Sequence, residues 1–274
     1  MAKKAFRLFV EILAIYLFVV VVVFFYQRNM QYFPFAADNG LPKDAGVPEM
    51  SVVHVKTADG LELVGWFAPP KKEDGRVVVF YHGNGGNIAM RGFKARYFID
   101  RGYGVFLVEY RGYGGNPGSP TEEGLYNDGR AALKFLKEKG YKDNQIVIYG
   151  ESVGTGVAVQ MALETQPEIL ILESPFSSAA DVAKKSYPFL PVDLLMHDRY
   201  DSIDKIGKIK SHLLIVHGGA DNIIGIQLSY NLFDAARSKK KFFGIKGGGH
   251  NDLYDFNAGT MIADWLDTQV AGEK

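Results

Sequence analysis

A hydroxyl, a carboxylate and an imidazole follow one another in this chain in an order that suits acyl transfer. Ser152 lies in Gly150-Glu151-Ser152-Val153-Gly154, a G-x-S-x-G pattern. The pattern alone carries little weight. Its setting carries more, because it follows the apolar run Gln145–Tyr149 and opens the helix-like stretch 153–165. A sharp strand-to-helix turn lifts a serine hydroxyl out of a sheet, and the glycines two before and two after it leave room for neighbouring backbone. The helix N-terminus that follows sets free N–H groups and positive dipole beside a developing oxyanion. A Gly-Ser-Gly turn without chemistry is the plain alternative.

A serine hydroxyl is a poor nucleophile until a base removes its proton. Six histidines compete for that task. His54, His197 and His212 read as structural or surface residues, and His82 and His217, each at a strand end before glycine, as loop-shaping ones. His250 differs. It sits in Lys246-Gly247-Gly248-Gly249-His250, between the last apolar strand and the last amphipathic helix, where a glycine-rich loop brings an imidazole over the nucleophile. The third member must orient that imidazole and stabilise its charge. Asp221, in the turn His217-Gly218-Gly219-Ala220-Asp221, suits the task, with a capping aspartate as the bland alternative. The chain order Ser152, Asp221, His250 differs from that of the two common serine-protease families.

His82-Gly83-Asn84-Gly85-Gly86 follows the run Arg76–Tyr81. Its backbone predicts an oxyanion hole, with the Asn84 N–H as first donor and the Val153 N–H as second. A phosphate-binding turn is the rival, but no Lys follows as in Walker A, and the dinucleotide fingerprint G-x-G-x-x-G is not matched. No metal-ligand spacing such as H-E-x-x-H occurs, so neither metal nor cofactor is expected.

These residues need elements to hold them. Apolar runs at Arg76–Tyr81, Gly104–Glu109, Gln145–Tyr149, Ile169–Glu173, Leu213–His217 and Phe242–Lys246 alternate with helix-like stretches at 87–101, 121–139, 153–165, 226–238 and 252–270. Alternation at this spacing predicts a mostly parallel sheet with helices on both faces. Ser51–Val55 and Leu61–Phe67 flank Asp59-Gly60 and predict a hairpin. Residues 176–208 break the rhythm and read as a small insertion over the sheet edge. The catalytic domain is expected over 51–274, after a linker at 29–50.

The first 28 residues stand apart. Leu8–Tyr26 is apolar over 19 residues except for Glu11, long enough as a helix to cross about 30 Å of hydrocarbon. It is longer than a signal-peptide core and lacks a small-residue cleavage site, so a retained anchor is favoured over a cleaved signal or a buried helix. Lys3, Lys4 and Arg7 precede it, which predicts a cytoplasmic N-terminus and an exported domain: periplasmic in a bacterium, lumenal or exterior in a eukaryote. The 274 residues carry 31 basic and 31 acidic side chains and no cysteine. That balance argues against nucleic acid as a partner. Disulfides, thiolate metal sites and cysteine nucleophiles are excluded outright.

Taken together, HGNGGN, EYRGYGGNPGSP, GESVGTG, ESPFSS, SYPFLPVDLL, HGGAD and GGGHNDL resemble the α/β-hydrolase superfamily over about residues 28–270. More narrowly they are similar to its membrane-anchored Bem46-like branch, relatives of the α/β-hydrolase-domain types 13 and 17. The resemblance implies the α/β-hydrolase fold and a serine hydrolase with Ser152 as nucleophile, Asp221 as acid, His250 as base, and Asn84 and Val153 as oxyanion donors. Two positions depart from that branch: Glu109 stands where Asp is usual, and Gly225 where a Pro follows the acid. The chain also lacks the N-terminal cysteines by which related palmitoyl-protein thioesterases reach membranes. The expected substrates are small-molecule or lipid acyl esters or thioesters, handled by a carboxylesterase, lipase or thioesterase-like activity. Peptide-bond hydrolysis and a catalytically idle, membrane-tethered scaffold are the rivals. Tyr187, Phe189, Leu190, Leu194, Leu195 and Met196 either line an acyl groove or, more plainly, pack the insertion against the sheet. An insertion this short predicts a fairly open pocket.

Overall fold

β-Branched and aromatic runs bounded by glycine and polar turns become the strands, as their side chains favour a pleated surface. The computed structural model describes residues 1–73 and 75–271. Among these, one sheet holds β1 (Ser51–Lys56), β2 (Glu62–Ala68), β3 (Val77–Tyr81), β4 (Gly104–Val108), β5 (Ile146–Glu151), β6 (Ile169–Glu173), β7 (His212–Gly218) and β8 (Lys240–Ile245). The helices are α1 (Ala2–Gln31), α2 (Gly92–Ile99), α3 (Glu122–Glu138), α4 (Val153–Thr165), α5 (Ala179–Ser186), α6 (Val192–Leu195), α7 (Ile203–Ile206), α8 (Ile226–Ala235) and α9 (Ala258–Ala271).

The strand order is β1-β2-β4-β3-β5-β6-β7-β8. β1 and β2 form the predicted hairpin, and β2 pairs antiparallel with β4. All later pairings are parallel. This is the α/β-hydrolase fold expected from the sequence. β3, β4 and β6 are buried along their whole length, which is why they read as unbroken apolar runs. The pleat sends alternate residues to opposite cores. Val77, Val79 and Tyr81 pack in the core that holds Leu125 of α3 and Val157 of α4. Val78 and Phe80 pack in the one that holds Phe98 of α2 and Ile262 of α9.

β3 lies between β4 and β5, so the strand order reverses there. Connections leaving to opposite sides open a crevice at the carboxyl ends of the strands. The glycine-rich turn after β3 and the turn after β5 border it.

α1 continues three residues past the boundary at 28, over a length of about 45 Å. Residues 1–18 are exposed throughout. Val19, Val23, Gln27 and Gln31 are partly covered, and a spacing of four marks one helix face. That face meets the 176–208 insertion, which carries α5, α6 and α7. The Gln27 side chain donates to the Leu195 carbonyl at 3.1 Å and accepts from the His197 N–H at 2.8 Å. Arg28 pairs with Asp198 at 2.9 Å. The buried hydroxyls of Tyr32 and Tyr200 lie 2.8 Å apart. Residues 32–50 follow as packed chain, with Tyr32, Val47 and Met50 buried.

Candidate active site

Ser152 sits between β5 and the first turn of α4 with φ 52° and ψ −119°. A non-glycine residue there is strained by roughly 1–3 kcal/mol. Three hydrogen bonds hold it: Ser152 N–H to the Glu173 carbonyl at 2.9 Å, and the Thr155 N–H and hydroxyl to the Ser152 carbonyl at 2.9 and 2.6 Å. The flanking glycines are forced by packing. A Cβ on Gly150 would lie 2.5 Å from the Gly154 carbonyl oxygen, and one on Gly154 would overlap the carbonyl oxygens of Tyr81 and His82.

The structure brings together all three residues that the spacing singles out. His250 Nε2 is 2.9 Å from Ser152 Oγ, and His250 Nδ1 is 2.7 Å from Asp221 Oδ2. A carboxylate only accepts, so Nδ1 carries the proton and Nε2 is left to accept from the serine hydroxyl. Asp221 Oδ1 accepts the N–H groups of Ile223 and Ile224 at 2.9 and 2.8 Å. Burial pushes the Asp221 carboxyl up, but hydrogen bonds from His217 and His250 outweigh it and hold the group well below the usual carboxylate range.

His217 is the site residue that sequence reasoning passed over. Its Nε2 lies 2.9 Å from the Ile224 carbonyl and 3.2 Å from Asp221 Oδ2, both acceptors, so it donates. Asp221 thus receives two imidazole N–H groups. His82, read as loop-shaping, is buried with Nε2 2.8 Å from Glu109 Oε1. Glu109 Oε2 accepts the Ile88 N–H at 3.0 Å, so the longer carboxylate ties down both ends of the glycine-rich turn. The only signal for either pair was a histidine at a strand end.

That turn lies against the serine: a Cβ on Gly83 would be 3.3 Å from Ser152 Cβ. The N–H groups of Asn84 and Val153 donate to no acceptor among the described residues. Both the oxygen and the nitrogen of the Asn84 side chain are engaged. Its Oδ1 accepts from Tyr113 at 2.8 Å and the Phe33 N–H at 2.9 Å, and its amide donates to the Gln31 carbonyl at 2.6 Å. The chain just after α1 is therefore stitched to the turn beside Ser152.

Beneath the serine lies a buried ionic cluster. Glu151 pairs with Arg91 at 2.7 Å and Lys94 at 2.8 Å, and Lys94 reaches Glu173 at 2.7 Å. Tyr149 donates a short hydrogen bond to Glu173. Burial raises the Glu151 carboxyl, but Lys94 and Arg91 overcome it and keep the group ionised, well below its ordinary range. Two cations and two anions balance, so little net charge reaches Ser152. No group of His, Asp and Glu suited to a metal ion occurs among the described residues.

A cavity of about 300 Å³ opens at Ser152. Val23, Gln27 and Met30 of α1 form one wall, the insertion another, and Ile223 and Ile224 a third. One expectation is corrected here. Tyr187, Leu190, Leu195 and Met196 line this cavity and Phe189 and Leu194 are exposed, so the six do not pack on the sheet. The reason is that the insertion rests on α1.

Known proteins agree with this architecture. The family profile described as "Serine aminopeptidase, S33" matches residues 72–197. A Mycobacterium tuberculosis protein designated Rv2307c is 39% identical over 237 residues, covering 85% of this chain and 84% of that one. Human α/β hydrolase domain-containing protein 17B is 32% identical over 207 residues, 72% of this chain and 68% of the relative. Among solved structures, the Pyrococcus furiosus esterase Pf2001 superposes with a TM-score of 0.69 at 18% identity, covering 86% of this chain and 96% of that one, a likeness of fold. By sequence kinship and by architecture alike, the chain belongs to the α/β-hydrolase family.

Proposed function

We propose that this protein is a membrane-anchored serine hydrolase that cleaves carboxylic esters or thioesters through an acyl-enzyme. The observation that carries the reading is the continuous chain Ser152–His250–Asp221, with contacts of 2.9 and 2.7 Å, at the mouth of an apolar cavity. Ser152 Oγ attacks the acyl carbonyl carbon as His250 Nε2 takes its proton. The carbonyl oxygen becomes an oxyanion held by the Asn84 and Val153 N–H groups, each worth roughly 3–4 kcal/mol to the transition state. As the tetrahedral intermediate collapses, the bond to the leaving oxygen or sulfur breaks and His250 returns the proton to it. Water then attacks the acyl-enzyme with His250 again as base, which releases the acid and restores the serine hydroxyl. The α1 contacts with the domain support a retained anchor: Val23, Gln27, Met30 and Gln31 belong to the pocket, and cleavage near 28 would remove the first two. Lys3, Lys4 and Arg7 before the apolar run favour a cytoplasmic N-terminus and an exported domain.

Hydrolysis of p-nitrophenyl esters and labelling by a fluorophosphonate test this together. Ser152→Ala is expected to lower kcat by about 10⁶ and to abolish labelling. Undiminished turnover in that variant would exclude the mechanism. Amide hydrolysis is the second reading, favoured by the aminopeptidase description of the matching family. The apolar walls favour an acyl chain, and an aminoacyl-nitroanilide assay beside the ester assay separates the two.

A further inference from the structure

The apolar run of α1 and the active-site cavity overlap in space. The run ends at Tyr26, yet Val23 lines the cavity three residues inside it. The tip of the insertion reaches deeper still. The Tyr16 hydroxyl donates to the Phe189 carbonyl at 3.0 Å. Tyr16 lies ten residues inside the run, so the tip stands about 15 Å along the helix from its end. That is about half of a 30 Å hydrocarbon core. If α1 crosses a bilayer, the segment 187–190 is carried into one leaflet.

The tip is built for that place. It reads Tyr187-Pro188-Phe189-Leu190, without a charge. Phe189 is 61% exposed and Leu194 82% exposed, a cost in water that contact with acyl chains removes. Among the charged residues of the insertion, Lys184 and Arg199 both pair with Asp193, a group that fits the polar headgroup layer. The cavity therefore runs from Ser152, at the polar end, to Val23 and Leu190, at hydrocarbon depth.

We propose that the substrate is a long-chain ester lipid of the surrounding leaflet, and that its acyl chain enters the cavity from the bilayer between α1 and the tip of the insertion. The ester carbonyl rises to Ser152 while the end of the chain stays at the depth of Val23. Water-soluble esters reach Ser152 without this route. The proposal rests on the serine-hydrolase and anchor readings above and specifies where their substrate comes from.

The test uses full-length protein in phosphatidylcholine vesicles, with a fluorogenic hexadecanoyl glycerolipid in the bilayer and p-nitrophenyl butyrate in the water. In the double variant Phe189→Asp, Leu194→Asp, turnover of the bilayer ester is expected to fall by about 10- to 100-fold, with butyrate turnover unchanged. Neither side chain lines the cavity. As a readout independent of that double variant, the fluorescence of Phe189→Trp is expected to be quenched by lipids brominated on their acyl chains, beyond the quenching of the parent with its Trp66 and Trp265. Quenching of Phe189→Trp no greater than that of the parent, equal losses on both substrates, or an unaffected bilayer ester overturns the proposal alone. So does turnover of an S-palmitoyl peptide on the same vesicles in place of the lipid. If the parent turns over neither ester and takes no fluorophosphonate, the hydrolase reading itself has failed.

Discussion

Asp221, the proposed acid of the triad, shows how little of such a residue's behaviour resides in the residue. Two backbone N–H groups fix its Oδ1, and two imidazoles share its Oδ2. In Asp221→Asn, an amide that must present a donor or a poorer acceptor to His250 Nδ1 favours the wrong tautomer. A fall of about 10⁴ in kcat is expected, with KM little changed. Stability should respond as well. Because the folded-state pKa lies below the ordinary value of 3.8, the ionised carboxylate stabilises the fold above that pH. The contribution is lost as pH falls through the folded-state value. Urea titrations from pH 5 downward should therefore show a steeper loss in the parent than in Asp221→Asn; parallel curves would contradict the hydrogen-bonding account.

At the scale of elements, the β5–α4 turn works because α4 comes close enough to β3 to exclude a Cβ at 154. Gly154→Ala should cost about 1–3 kcal/mol in overpacking and also displace Ser152, so that both thermal stability and kcat fall. A variant that keeps full activity would mean the elbow tolerates movement. The ionic cluster below is a second element-scale device, joining α2 to the ends of β5 and β6. Lys94→Met leaves Glu173 without its cation and Glu151 with Arg91 alone. A loss of about 3–5 kcal/mol in denaturant unfolding is expected, as for other buried pairs broken on one side. Here the sequence was easy to follow. Val153–Thr165 begins and ends where the apolar pattern does, and Ile169–Glu173 matches its run residue for residue. Edges drifted where strand residues were polar: β8 starts at Lys240, before its apolar run, because parallel pairing with β7 recruits Lys240 and Lys241.

On the scale of the whole molecule, α1 is both a candidate anchor and a wall of the candidate active site. Arg28, Gln31 and Tyr32 attach it to the insertion, and Asn84 attaches the following chain to the glycine-rich turn. On the proposed reading, α1 completes the pocket as a retained anchor and stays on the mature protein. Mass spectrometry of the membrane fraction after alkaline carbonate washing should therefore recover the chain with its N-terminal residues 1–28. Recovery of a soluble form beginning near residue 28 would count decisively against a retained anchor.

The chain by itself determined the hydroxyl, imidazole and carboxylate, the glycine-rich turns that carry them, and the order of strands and helices. These depend on local patterning: glycine where backbones nearly touch, apolar runs where strands are buried on both faces, and period-four faces on helices. Contacts between distant segments were decided only in three dimensions. No spacing rule joins Tyr16 to Phe189, His217 to the carboxylate that His250 shares, or Lys94 to Glu151 and Glu173. Such contacts depend on which surfaces meet once the sheet has formed, and that is a property of packing.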